Sequence, residues 1–265
     1  IPLKVLSEEM SEEMKKVFCI THFFNPVRYM RLLELVITPM NDRRKIDKLK
    51  LFCDEKLGKT VVICNDSPGF LGNRVGVYAM QVAMTEAFNL GLSVEEADTI
   101  FGRPMGIPKT GVFGLYDLIG IDLMADVLKS FIKELPSDDP FHVVGKEHPL
   151  INKLIEDGYI GRKGKGGFFR MNKDNNQKIL ESLNYKTHSY HESKKVDLSL
   201  PDLMDINHLL NRNDIYSQYA WNIIKKTILY AASLVPKVTE NFNDIDEAMR
   251  CGFNWQKGPF EILHE

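Results

Sequence analysis

From Asp66 onward the hydrophobic pattern of the chain turns predominantly helical, and that change limits what the chain can fold into. Before it lie three short β-branched runs, residues 17–21, 33–37 and 60–64, whose composition suits strands. Between the second and third, Asn41 or Asp42 opens a helical stretch that carries Ile46, Leu49, Phe52 and Leu57 toward a core and closes at Gly58. The order is β–β–α–β. A doubly wound nucleotide domain needs more strands than these and a phosphate loop after its first strand, and no such loop occurs here.

Beyond Asp66 the period is helical. Ser67-Pro68 reads as an N-cap with proline at the first helical position, and Leu71, Val75, Tyr78 and Val82 then recur at helical spacing until Gly91. Ser93-Val94-Glu95-Glu96 fits a capping box for the next helix. Further helical patterns at 115–135 and 149–157 make the region to about 160 predominantly helical. A basic, glycine-rich run at 161–169 ends it. The polar stretch that follows, to about Leu200, reads as a connector, and a helical pattern resumes from Asp205 with Ile215, Tyr219 and Ile223 on successive turns.

The two helical regions share an internal repeat. Glu96-Ala97-Asp98, Phe101 and the turn Lys109-Thr110-Gly111-Val112-Phe113-Gly114 are echoed by Asp244-Ile245-Asp246, Met249, Gly252 and Lys257-Gly258-Pro259-Phe260. The second copy stops at Glu265 just inside its new helix, and the chain opens on Ile1 with neither methionine nor signal-peptide pattern. The expectation is a piece cut at both ends.

Composition narrows the function classes. With 265 residues and 44% hydrophobic side chains the chain can bury a full core. Its 34 basic residues are dispersed among 36 acidic ones for a net charge of -2, so no field that recruits nucleic acid or an anionic membrane is implied. No run approaches the roughly 18 apolar residues of a membrane span. Four cysteines without CxxC spacing read as reduced thiols of a cytoplasmic protein. His188 and His191 lack partners at metal-ligand spacing, and no metal is expected.

Three sequence features can carry chemistry. His22-Phe23-Phe24-Asn25-Pro26 ends one strand, and Glu34 sits inside the next on the face shared with Leu32 and Val36. A carboxylate there needs a partner, and an imidazole so held is a general base, although a hydrogen-bonded core histidine gives the same pattern. Asn73 lies near a helix start, where its amide can donate to a developing oxyanion or simply face solvent. The 161–167 run adds Arg162, Lys163 and Lys165 to permissive backbone; it either approaches phosphate or is a basic turn before a strand.

Taken together, His22-Phe23-Phe24-Asn25-Pro26-Val27 with Met30, Leu33-Glu34, Asp66-Ser67-Pro68-Gly69-Phe70 with Asn73-Arg74, Gly111-Val112-Phe113-Gly114-Leu115-Tyr116-Asp117 and the 161–169 run resemble the 3-hydroxyacyl-CoA dehydrogenase family of fatty acid β-oxidation. The resemblance covers residues 1 to about 170, and the second helical copy is similar to the duplicated C-terminal domain of the family's longer bacterial forms. It implies an α/β plus all-α chain, mostly helical overall. Residues 1–64 would be the C-terminal part of a Rossmann-like NAD-binding domain. A helical substrate and dimerisation domain at 65–172, a connector at 173–204 and a partial second helical domain at 205–265 would follow, both helical domains being of the 6-phosphogluconate dehydrogenase C-terminal type.

By the same resemblance His22 would remove the 3-hydroxyl proton of an L-3-hydroxyacyl-CoA while hydride passes to NAD, and Glu34 would polarise it. Asn73 would bind the substrate oxygen, and Asn25 and Lys163 the cofactor. The family's dinucleotide loop, its acidic ribose ligand and a substrate-binding serine would precede Ile1, so the 265 residues alone are expected to be inactive. An acyl-CoA substrate, a homodimer through the helical domains and a downstream enoyl-CoA hydratase domain are the implied partners. The alternatives are a 3-hydroxybutyryl-CoA or hydroxyacid dehydrogenase of the same fold, or a non-catalytic acyl-CoA-binding or assembly module.

Overall fold

A computed structural model describes residues 1–174, 177–198 and 206–264. In chain order its elements are α1 (Leu3–Leu6), α2 (Glu12–Lys15), β1 (Ile20–Phe23), β2 (Leu32–Ile37), α3 (Arg43–Leu57), β3 (Thr60–Asn65), α4 (Gly72–Leu90), α5 (Val94–Ile100), α6 (Gly111–Ile119), α7 (Ile121–Glu134), α8 (Phe141–Val144), α9 (Pro149–Glu156), β4 (Phe169–Asp174), β5 (Gln177–Asn184), β6 (Ser189–Glu192), α10 (Ile206–Leu210), α11 (Ile215–Ser233), α12 (Phe242–Gly252) and α13 (Pro259–Leu263). They divide between two compact units, Ile1–Val77 with Thr227–Glu265, and Tyr78–Lys226. No described helix is long and apolar enough to cross a membrane.

In the first unit β1, β2 and β3 form one sheet, antiparallel between β1 and β2 and parallel between β2 and β3. β2 is buried along its whole length, as a central strand with both faces covered must be. Leu33, Leu35 and Ile37 point to one face, where Ile46 and Cys53 of α3 complete a core cluster. Asp42 caps α3 by accepting from the Arg44 N–H, and Gly58 ends it in the left-handed region. Phe52 and Leu57, expected in the core, are exposed. The helical angle explains Phe52: seven residues bring Cys53 back onto the stripe of Ile46, whereas Phe52 falls more than a right angle away. Leu57 lies close to that stripe but is the last residue of α3, at the turn made by Gly58.

The opposite face of the sheet is covered by α12, which lies against β2 and β3. Gly252 sits so close that a Cβ there would stand 2.6 Å from Leu32 Cδ2. The chain before α12 is fastened to the end of β3, where the Asn65 N–H donates to Val238 O at 2.8 Å. Residues from Thr227 onward therefore pack with the strands, while 206–226 group with the other unit. The apolar stripe of Ile245, Ala248 and Met249, all fully buried, is the physical reason. The expected boundary at 204/205 lies outside the described residues, as does Glu265.

The second unit is helical with a small antiparallel sheet, β4-β5-β6. That sheet occupies much of the stretch read as a connector. Its polar side chains are satisfied laterally: Arg170 pairs with Glu181 at 2.6 Å, and buried Ser182 donates to Glu95 of α5. Ser93 and Glu96 form the expected capping box of α5. Asp98 then caps α6, its two oxygens accepting from the N–H groups of Phe113 at 2.6 Å and Gly114 at 2.8 Å. Gly111 makes that approach possible, since its φ is +72° and a Cβ would fall 2.4 Å from Asp98 Cβ. Gly111→Ala is expected to cost about 1–3 kcal/mol through backbone strain and overpacking, read as a lowered urea midpoint.

Candidate active site

His22 and Glu34 stand directly opposite each other in the β1–β2 ladder. Their side chains meet: His22 Nδ1 lies 2.5 Å from Glu34 Oε2. The imidazole is part-exposed, whereas Glu34 has no accessible surface. Its other oxygen, Oε1, accepts from the backbone N–H groups of Leu71 at 3.0 Å and Gly72 at 2.7 Å. Those are donors at the start of α4 that have no partner within the helix, and the positive end of its dipole favours an anion there. One buried carboxylate thus joins the imidazole to the helix.

This arrangement replaces the expected helix start at Ser67-Pro68. Gly69 and Phe70 both have positive φ, so the chain turns before α4 begins at Gly72. Ser67 Oγ instead accepts from the buried Arg74 guanidinium at 2.9 Å, and Arg74 also donates to Tyr230 Oη at 2.8 Å. Gly72 is required by proximity: a Cβ there would lie 2.8 Å from Phe24 Cζ.

With a carboxylate accepting at Nδ1, that nitrogen carries the proton and Nε2 keeps the lone pair. Phe24 packs edge-on to the imidazole at 5.0 Å between centroids, and Phe70 approaches it at 5.3 Å. Part of the ring remains open to solvent. The site therefore offers one proton acceptor whose tautomer and orientation are fixed by a carboxylate that no water reaches. Cys64, on the adjacent strand, is pushed far up by burial and then by the charge of Glu34, so it stays a neutral thiol.

Asn73 is the second residue of α4, next to the N–H that Glu34 holds, and is half-buried. Its amide has no hydrogen bond among the described residues. Asn25 is exposed on the β1–β2 loop. Lys163 belongs to the other unit, where its Nζ lies 2.7 Å from Asp122 and draws that carboxyl below its usual range. The structure thus joins His22 to Glu34 and sets Asn73 beside the anchor of Glu34, while Lys163 sits in an ion pair of its own.

Lys59 was not legible as a functional residue. It is buried, and its ammonium donates to Val27 O at 2.5 Å and Met30 O at 2.7 Å, tying down the loop that bears Asn25. A lysine flanking a strand carries no sequence signal for this role.

Residues 1–67 match the family profile described as 3-hydroxyacyl-CoA dehydrogenase, NAD binding domain, and residues 69–171 match the C-terminal domain of the same family. A putative fatty acid oxidation complex trifunctional enzyme of Rickettsia prowazekii is 44% identical over 263 residues, which is 99% of this chain and 36% of that protein. A probable 3-hydroxyacyl-CoA dehydrogenase of Bacillus subtilis is 31% identical over 99% of this chain and 34% of its own length. The chain therefore spans about a third of the length of these curated relatives. The crystal structure of 3-hydroxybutyryl-CoA dehydrogenase from Escherichia coli K12 shares the fold, with a TM-score of 0.64 at 20% identity over 98% of this chain and 65% of that one.

Proposed function

The chain belongs to the 3-hydroxyacyl-CoA dehydrogenase family, and from that premise we propose that His22 is the general base for NAD-dependent oxidation of an L-3-hydroxyacyl-CoA to its 3-oxoacyl-CoA. The observation that carries the reading is Glu34, a fully buried carboxylate held by His22 Nδ1 and by two backbone N–H groups. Nε2 takes the proton of the 3-hydroxyl. Glu34 keeps the opposite proton on Nδ1 and stabilises the imidazolium that forms. Asn73 donates its amide to the substrate's 3-oxygen, and Phe24 and Phe70 limit water around the ring.

NAD, when bound, supplies the hydride acceptor. Asn25, an exposed amide on the tethered β1–β2 loop, fits the nicotinamide end, and Lys163 is assigned to the cofactor on the family pattern alone. The two strand-to-helix turns, 38–42 and 66–71, carry no GxGxxG, so no residue here is assigned to the pyrophosphate.

We also read the C-terminal segment as a second copy of the helical domain. Asp246 accepts from the Phe260 N–H at 2.9 Å as Asp98 does from Phe113, and Gly258 crowds Asp246 as Gly111 crowds Asp98. An acyl-CoA ligand and self-association through the helical segments belong to the same proposal.

The test is NADH oxidation in the presence of acetoacetyl-CoA. The 265-residue chain alone is expected to show no turnover, and the chain fused to a strand–GxGxxG–helix unit from a relative is expected to turn over. Activity in the unfused chain would overturn the absence of a pyrophosphate site; a folded but inactive fusion would overturn the proposed reaction. Comparing kcat/KM for C4 and longer acyl-CoA on the fusion then assigns chain length.

A further inference from the structure

The helical unit contains a cavity of about 770 Å³ that the dehydrogenase reading does not use. Four of its lining cations, Lys109, Arg162, Lys194 and Lys195, are exposed and make no side-chain hydrogen bond or ion pair among the described residues. They come from three separate segments: the turn before α6, the basic turn after α9, and the chain after β6. Two carboxylates in the wall, Asp98 and Asp117, are engaged by backbone donors. Asp98 accepts from Phe113 and Gly114, and Asp117 from the N–H groups of Phe168 at 2.8 Å and Phe169 at 2.7 Å. The lining holds six basic side chains, Lys165 and Arg170 being the other two, against three carboxylates, Glu95, Asp98 and Asp117. The cavity therefore carries surplus positive charge.

Its remaining lining is of two kinds. Phe169, Met171, Leu180 and Val196 give it an apolar wall. Glu95, which is 8% exposed, gives it an acceptor: Oε1 is engaged by Ser182 and lies 3.2 Å from His191 Nε2, whereas Oε2 is buried with no hydrogen-bond partner among the described residues. A buried carboxylate oxygen left unpaired costs free energy that a ligand N–H or O–H would recover. Multiple anionic charges, a flat apolar body and a hydrogen-bond donor are the three features of a nucleotide.

We propose that this cavity is a nucleotide-binding site, with the phosphates on Lys109, Arg162, Lys194 and Lys195, the base against Phe169, Met171, Leu180 and Val196, and an amine or hydroxyl on Glu95. The lining shares no residue with the His22–Glu34 pair, and the inference does not depend on the proposed reaction. A free nucleotide and the nucleotide end of a larger coenzyme present the same groups.

Calorimetric titration of the 265-residue chain with ADP, inorganic pyrophosphate and coenzyme A tests it. ADP is expected to bind with one-to-one stoichiometry, at least tenfold more tightly than pyrophosphate, and more weakly as salt is raised. Lys109→Glu and Lys195→Glu, both at exposed positions, are each expected to weaken ADP at least tenfold. Lys133→Glu, outside the lining, is expected to leave it unchanged. Coenzyme A that binds tighter than ADP and is weakened by the same variants identifies a coenzyme as the source, and equal affinities identify the free nucleotide. Absence of ADP binding, ADP affinity equal to that of pyrophosphate, or binding indifferent to Lys109→Glu and Lys195→Glu would each overturn the proposal.

Discussion

Glu34→Ala is expected to destabilise the chain by about 3–5 kcal/mol, read from urea unfolding. The side chain is buried on a strand with both faces covered and serves three donors at once. Removing it strands the imidazole proton and the N–H groups of Leu71 and Gly72 without an acceptor, and leaves a cavity against Phe24 and Leu32. Glu34→Gln separates packing from charge. Its amide oxygen still accepts from Leu71 and Gly72, so the loss is expected to be smaller. Its NH₂ group, however, faces His22 Nδ1 and forces the other tautomer. If Glu34→Ala were as stable as the parent, the carboxylate would not be holding α4 to the sheet.

His22→Gln is expected to lower oxidation of L-3-hydroxybutyryl-CoA by NAD about 10²–10⁴-fold in the fused, active form, with little change in the urea midpoint. Glutamine can donate its amide to Glu34 and so preserve the fold, but it cannot accept a proton. Glu34→Gln should lose activity on a similar scale, because the imposed tautomer puts a hydrogen on Nε2 where the lone pair is needed. The double variant should fall little further than either single one, as expected for residues that act as one unit. Full activity in His22→Gln would transfer the base to another residue.

The parts of this site that were legible in the sequence are those written in short-range patterns. Alternation along β2 placed Glu34 on the face of Leu32 and Val36, and the spacing from His22 allowed the pair to meet. Who completes the carboxylate's shell was not legible. The donors lie 37 and 38 residues away, and they are backbone groups, which carry no side-chain signature. The same distance effect misplaced the start of α4. Ser67-Pro68 has the local chemistry of a helix start, but the anion that caps the helix comes from another strand.

β5 and β6, within the stretch read as a connector, were hidden for a different reason. The strands there are narrow and their faces polar, so periodicity gives no apolar stripe. What makes Ser182 compatible with complete burial is Glu95, a residue of a distant helix. The C-terminal segment was readable as amphipathic, yet no pattern within it says which surface it covers. That information sits in small residues such as Gly252, whose value is apparent only beside Leu32 and Phe24.

The division of labour between the two oxygens of Glu34 bears on how portable this proton acceptor is. Grafting His22 and Glu34 onto opposed strands of another sheet would copy the imidazole and the carboxylate but leave Oε1 without its two donors. The smallest transplantable unit is discontinuous, two strands plus a glycine-started helix whose first amides arrive from the side. A scaffold lacking that third piece would have to supply two N–H groups of its own, or accept a carboxylate that draws in water and loosens the ring it is meant to aim.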